Sequence, residues 1–111
     1  MRLLVCGGRT FDDRRLLGRA LTAVNEETPI TLIITGGARG ADQLAEAWAA
    51  ARQLPLMVFP AHWNMGKRAG PARNAWMLQF GQPDMVFAFP GGRGTEDMVE
   101  RAVKAGLKVR R

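Results

Sequence analysis

Short continuous apolar runs occupy residues 2–6, 30–35, 56–59, 85–89 and 107–109, each bounded by glycine, proline or polar residues. Uninterrupted runs of this length, rather than alternating ones, predict strands buried on both faces. Between them, apolar positions recur at helical spacing. Leu16, Leu17, Ala20, Leu21 and Val24 mark a helix over 12–26, and Ala41, Leu44, Ala45, Trp48 and Ala49 mark another over 41–52. Ala72, Ala75, Trp76 and Leu78 to Phe80 predict a third over about 68–80, and Met98, Val99, Ala102 and Val103 a fourth over about 95–105. The order β-α-β-α-β-α-β-α-β predicts an α/β protein, Rossmann-like and three-layered (α/β/α), with a five-stranded, mainly parallel sheet and right-handed crossovers. If the strands lie in the order 3-2-1-4-5, the loops after strands 1, 2 and 4 open onto one crevice at the carboxyl edge.

Those three loops are where the glycines gather. Leu3-Leu4-Val5-Cys6 runs into Gly7-Gly8-Arg9, Leu32-Ile33-Ile34-Thr35 into Gly36-Gly37-Ala38-Arg39-Gly40, and Val86-Phe87-Ala88-Phe89 into Pro90-Gly91-Gly92-Arg93-Gly94-Thr95. Glycine lets a backbone approach a ligand closely, and the N-terminus of the following helix directs unpaired N–H groups at it, an arrangement suited to anions. The dinucleotide spacing GxGxxG and the P-loop spacing GxxxxGK[ST] are both absent, so neither standard nucleotide fingerprint applies. In the first loop Arg9 could pair with a phosphate or be plain surface charge, while Asp12 or Asp13 is expected to cap the next helix. In the second, Gly36, Gly37, Ala38 and Gly40 bring small residues to a helix start; Asp42 either serves the helix dipole or accepts hydrogen bonds from ribose hydroxyls. The third, with Pro90, Gly91, Gly92, Gly94 and a potential N-cap in Thr95, carries more glycine than a turn needs. It is the strongest phosphate candidate of the three.

The segment from Pro60 to Asn74 is polar, basic and glycine-bearing, and reads as a loop over the crevice. Trp63 could stack on a base or anchor the loop by burial, and Lys67, Arg73 and Asn74 could contact phosphate or ribose, the last two from the first turns of a helix. His62 is the only histidine and has no ligating partners at metal spacing, so neither a metal nor a bound cofactor is expected. No Ser-His-Asp or Cys-His set can be assembled. Trp48 and Trp76 fit helix–sheet packing or a subunit contact.

Length and charge narrow this picture modestly. With 111 residues the chain is expected to form one domain, 1–111, and no low-complexity or Pro/Ser-rich tract marks a boundary. The start, Met-Arg-Leu-Leu-Val-Cys-Gly-Gly, resembles neither a signal peptide nor a membrane span, so a cytoplasmic location without membrane attachment is expected. The single cysteine, Cys6, reads as a small core side chain. Sixteen Lys and Arg against ten Asp and Glu give a net charge of +6, which favours anionic partners. Because the cations fall in scattered doublets such as Arg14-Arg15 and Lys67-Arg68, nucleic acid is not favoured over a nucleotide.

With these loops in view, almost the whole chain resembles the SLOG superfamily of Rossmann-like nucleotide-binding proteins, in its YspA/YpsA-related branch. The resemblance rests on Val5-Cys6-Gly7-Gly8-Arg9, on Ile34-Thr35 through Asp42, on Gly70-Pro71-Ala72-Arg73-Asn74 and on Pro90 through Thr95. It implies binding or sensing of a nucleotide or nucleotide derivative, NAD- or ADP-ribose-related molecules included. The related LOG enzymes, which look dimeric and release free base and ribose 5-phosphate from nucleoside monophosphates, use PGGxGTxxE and an arginine from the preceding helix. Arg73 matches that arginine, and the resemblance to these relatives implies a homodimer, but Met98 stands where the glutamate belongs. A LOG-like N-glycosidic hydrolase would then have to use Asp42, Glu96 or Asp97, and no residue is assigned a catalytic role. The DprA relatives imply a third reading, a single-stranded nucleic-acid binding module.

Overall fold

The computed structural model describes all of residues 1–111. Its elements are β1 (Arg2–Cys6), α1 (Arg14–Glu27), β2 (Leu32–Thr35), α2 (Ala41–Ala51), β3 (Leu56–Val58), a 3₁₀ segment (Trp63–Arg68), α3 (Ala69–Gly81), β4 (Met85–Ala88), α4 (Arg93–Lys104) and β5 (Lys108–Arg110). The five strands form one sheet in the order β3-β2-β1-β4-β5, every adjacent pair parallel. This is the Rossmann-like α/β fold that the apolar runs predict. No helix is long and apolar enough to cross a membrane.

Strand side chains alternate between two cores, as the pleat requires. Leu3, Val5, Ile33, Met85 and Phe87 face α1 and α2, where they meet Leu17, Leu21, Val24, Ala45 and Trp48. Leu4, Cys6, Ile34, Val86 and Ala88 face α3 and α4, where they meet Met77, Met98 and Ala102. Helices on both faces explain why the strands read as unbroken apolar runs, and they leave the carboxyl edge free for loops. The outer strand β3 is less covered, with Leu56 and Val58 exposed.

Most boundaries fall within two residues of the sequence expectation, and the differences have local causes. Asp13, of the two candidate caps, closes α1 by accepting from the Leu16 amide at 3.0 Å. Thr95 is not a cap. Helix α4 begins two residues earlier, with Gly92 as N-cap, because the Glu96 amide reaches the Gly92 carbonyl at 3.1 Å. The expected loop over 60–74 contains the 3₁₀ segment, bent at Gly66, and gives way to α3 at Ala69.

Candidate functional site

β1, β2 and β4 lie side by side, so the loops that leave them meet at the carboxyl edge, beside the point where the strand order reverses. They are joined by backbone hydrogen bonds: the Gly8 amide donates to the Pro90 carbonyl at 2.8 Å, and the Gly8 carbonyl accepts from Ala41 at 3.2 Å. Several glycines are there to permit this contact. A Cβ on Gly7 would stand 2.6 Å from that of Ala41, and one on Gly91 would stand 2.6 Å from the Gly8 amide. Gly40 has a φ of +80° and backs onto the Gly8 carbonyl, so it is required both for conformation and for space. Gly36 leaves the room in which the Arg73 guanidinium lies. Around Gly92 and Gly94, by contrast, a Cβ would meet nothing within 4 Å.

Between the loops is a cavity of about 410 Å³, lined by Gly7, Gly8, Arg9, Ala38, Asp42, Trp63, Arg73, Asn74, Gly92, Gly94 and Thr95 among the residues singled out from sequence. Cys6, Gly70, Met77 and Arg93 complete its walls. A second recess of about 360 Å³, which includes Gly36 and Gly37, shares Arg9, Ala38, Trp63 and Arg73 with it. Neither is lined by Gly40, Lys67, Pro90 or Gly91; Gly40 and Gly91 serve the loop contacts, and Lys67 is exposed on the 3₁₀ segment. Trp63 is 56% exposed and carries the Arg9 guanidinium 4.8 Å from its ring centre, so it is a rim residue and not a buried anchor.

The polar groups differ in how far the protein itself uses them. One Asp42 carboxylate oxygen accepts from the amides of both Gly36 and Ala38 at 3.1 Å, and the Gly37 amide reaches the Thr35 hydroxyl at 3.3 Å. The amides of the second loop are thereby spent internally. Asp42 is 6% exposed, and burial pushes its carboxyl up to about 6 from an ordinary 3.8, against the pull of the two amides and of Arg73. Arg73 donates through Nη1 to the Gly36 carbonyl at 2.8 Å and through Nε to Asn74 Oδ1 at 3.0 Å. The rest of its fork is left for the cavity, and burial pulls its basicity down while Asp42 supports it. Asn74 is fully engaged, its Nδ2 donating to the Gly94 carbonyl at 3.1 Å and to Asp97 at 2.9 Å. Asp97 also holds Arg101 at 2.8 Å. A polar chain thus runs from the β2–α2 loop through Arg73, Asn74 and Asp97 to α4, fixing Gly94 in place.

The start of α4 is left open toward the cavity. Its N-cap, Gly92, offers no side chain, and the first amides of a helix have no intrahelical acceptor. The corresponding end of α2 is partly closed by the Gly8 carbonyl. Arg9, Arg73 and Arg93 line the same cavity with one carboxylate, Asp42, so its field favours an anion. Glu96 points outward and pairs with Arg111, and Met98 is fully buried in the α3–α4 core and does not line the cavity. No group of three His, Cys, Asp or Glu side chains is arranged to hold a metal ion. Sequence reasoning does not single out Arg93 or the pairing of Asp97 with Arg101; Asp97, a candidate carboxylate for hydrolysis, is held by Asn74 and Arg101 and does not line the cavity. Arg93 stood inside the glycine loop, and the i,i+4 spacing of Asp97 and Arg101 was the available signal for the pair.

Residues 1–66 match the model of the family described as YspA, cpYpsA-related SLOG family. The Gene 61 protein of Mycobacterium phage D29 is 40% identical over 117 aligned residues, covering 97% of this chain and 93% of that protein. Among solved structures, the phosphoribosylglycinamide formyltransferase (purN) of Coxiella burnetii, in complex with CHES, superposes with a TM-score of 0.47 and 13% identity. That superposition covers 96% of this chain and 61% of the formyltransferase, so this chain spans less than two thirds of its length. SLOG membership and a Rossmann-like sheet support a nucleotide-related function in general terms. On the family match and on the 40% identity to the phage protein over nearly its full length, the chain belongs to the YspA, cpYpsA-related SLOG family.

Proposed function

We propose that the crevice binds or senses a nucleotide or nucleotide derivative, of the NAD- or ADP-ribose-related kind, with a phosphate at the start of α4. The observation that carries this reading is the uncapped α4 N-terminus, with open space around Gly92 and Gly94, facing Arg73 across one cavity of about 410 Å³. Thr95 adds a hydroxyl, Arg93 an exposed guanidinium, and Trp63 an aromatic face on the rim. Calorimetric titration with AMP, ADP, ADP-ribose and NAD tests it. Saturable binding of at least one, weakened about tenfold or more in Arg93→Ala, is expected for the loss of a charge-assisted contact. No saturable binding across the panel sinks the reading.

A hydrolytic reading rests on Asp42, the one carboxylate lining the cavity. Water would displace the base from the ribosyl carbon, the carboxylate stabilising positive charge on the sugar, to give free base and ribose 5-phosphate. Chromatographic detection of free base from nucleoside monophosphates, abolished in Asp42→Asn, would favour it over simple binding. We further read residues 1–111 as one domain that pairs into a homodimer through the outer side of α3, where Phe80 is 60% exposed. Native mass spectrometry checks this, and a monomer at all concentrations would exclude it.

A further inference from the structure

On the opposite side of the sheet from α3 and α4, the outer face of α1 and Arg52, the residue that ends α2, border a wide-open groove of about 590 Å³ that the crevice does not reach. It gathers Arg14, Arg15, Arg19 and Arg52 around Gly18 and Thr22. The doublet and two single arginines look scattered in sequence, but one helical face and the end of α2 bring them together. None of the four belongs to an ion pair, and Glu26 is the only carboxylate lining the groove.

Three features of this face oppose local stability. Arg14 and Arg15 sit in the first turn of α1, where the helix dipole disfavours cations, and the Asp13 N-cap beside them is occupied with the Leu16 amide. Four like charges share one groove without an ion pair among them. Gly18 lies in the interior of a helix, among the least favourable places for glycine, although a Cβ there would meet nothing within 4 Å. Packing therefore does not demand a glycine at 18. Local rules broken together, with only the Asp13 cap and the Arg52 contacts to offset them, mark a surface shaped for something outside it. A gap in the helix surface flanked by guanidinium forks is what a closely approaching anionic backbone would need.

Arg52 is already set for such contact. Its guanidinium lies 4.2 Å from the Trp48 ring centre, and it donates to the Trp48 carbonyl at 3.3 Å and to the Thr22 hydroxyl at 3.4 Å. Because Arg52 covers Trp48, no bare aromatic ring is left in the groove to stack an unpaired base. Ala23 is its one hydrophobic lining residue, and the apolar side chains nearby, Leu17, Leu44 and Trp48, line a smaller separate recess of about 200 Å³. Planar forks and a hydroxyl, with no free ring for stacking, suit phosphodiesters recognised through the backbone.

We propose that the α1–α2 groove is a docking surface for duplex nucleic acid, bound through its phosphates without sequence preference and independently of the crevice. The test is fluorescence anisotropy of the full chain with a labelled DNA duplex of about 20 base pairs, with salt varied from about 50 to 200 mM. Four phosphate contacts predict a slope of log K against log salt of about −3 to −4, and the Arg15→Gln/Arg19→Gln double variant should make it shallower by about 2 and weaken binding at least tenfold. Gly18→Leu keeps every charge but fills the gap. It should fold, as circular dichroism checks, and lose duplex affinity. Absence of duplex binding at the lowest salt overturns the proposal, as does binding that both variants retain. Displacement of the duplex by mononucleotides would put it in the crevice, and tighter binding of polyglutamate or anionic vesicles would assign the groove to a different partner; either result also overturns it.

Discussion

Asp42→Asn isolates the balance of forces at the centre of the crevice. The carboxylate is 6% exposed and holds two backbone amides at 3.1 Å through one oxygen, which an asparagine carbonyl can replace while leaving the loop pinned. Two influences compete over its proton: burial disfavours the anion, whereas the amides and Arg73 favour it. Burial wins, and the carboxyl is raised from 3.8 to about 6. The folded protein therefore holds more protons than the unfolded chain between those two values. Asp42 stabilises the fold when protonated, and that contribution is lost as pH rises through about 6 and stays lost above it. A shift of this size corresponds to about 3 kcal/mol. Asparagine cannot ionise, so its stability relative to the native chain should improve by on the order of 3 kcal/mol between about pH 4 and pH 8. Urea unfolding of both proteins at several pH values, followed by far-UV circular dichroism, measures the difference. A difference that does not change with pH, or one that favours aspartate as pH rises, would mean that the amides and Arg73 dominate and the reasoning is wrong.

The remaining predictions separate glycines that hold the fold from those that face the ligand, and probe two buried sulfur positions. Gly40→Ala should destabilise by about 2 kcal/mol or more, measured by denaturant unfolding, because it combines a φ of +80° with a clash against the Gly8 carbonyl. Gly94→Ala should leave the melting temperature unchanged or slightly raised and still weaken nucleotide binding in the same calorimetric titration, because its methyl group would project into open space at the cavity wall. Met98→Glu, which writes in the glutamate of the PGGxGTxxE pattern, should unfold the chain in a thermal melt and not create a hydrolase, since position 98 is fully buried in an apolar cluster. The Cys6 thiol, pushed up to about 12 chiefly by burial and secondarily by Asp42, should resist a thiol reagent at pH 8 until the chain is unfolded in urea.

How far the sequence could be read depended on how local each cause was. β1 and β4 are legible because their cores on both faces require an unbroken apolar run, whereas the convergence of the three loops depends on the order β3-β2-β1-β4-β5, one of several that the alternation of elements allows. The start of α4 was misplaced because Thr95 has the chemistry of a cap, whereas the bond that opens the helix is made between the backbones of Glu96 and Gly92. Asn74 illustrates the limit. Its partners, Gly94 and Asp97, lie 20 and 23 positions away in the chain, so the residue reads as a ligand contact until the packing of α3 against α4 gives it other work. Asp42 likewise reads as a free acceptor until the loop folds back over it.

The consequence for recognition lies in which groups remain after the protein has satisfied itself. Asp42 consumes the amides of Gly36 and Ala38, and Asn74 is divided between Arg73, Gly94 and Asp97. These groups give the crevice its shape, and buried polar networks with every member paired are rigid. What the protein leaves unpaired is concentrated at the start of α4, on Arg93 and on the unused part of the Arg73 fork. A phosphate placed there would meet helix amides and an Arg73 guanidinium already oriented, leaving the exposed Arg93 side chain as the main group to be ordered on binding. It would also bring negative charge into the cavity that Asp42 lines, raising that carboxyl further above about 6. Binding and protonation are then linked: the affinity for a phosphate-bearing nucleotide should fall as pH rises from about 5.5 to 8, with proton uptake visible as a dependence of the binding enthalpy on buffer ionisation enthalpy. Asp42→Asn should remove the pH dependence while keeping the affinity. An affinity that falls equally in both proteins would trace the effect to the ligand and separate Asp42 from the phosphate position.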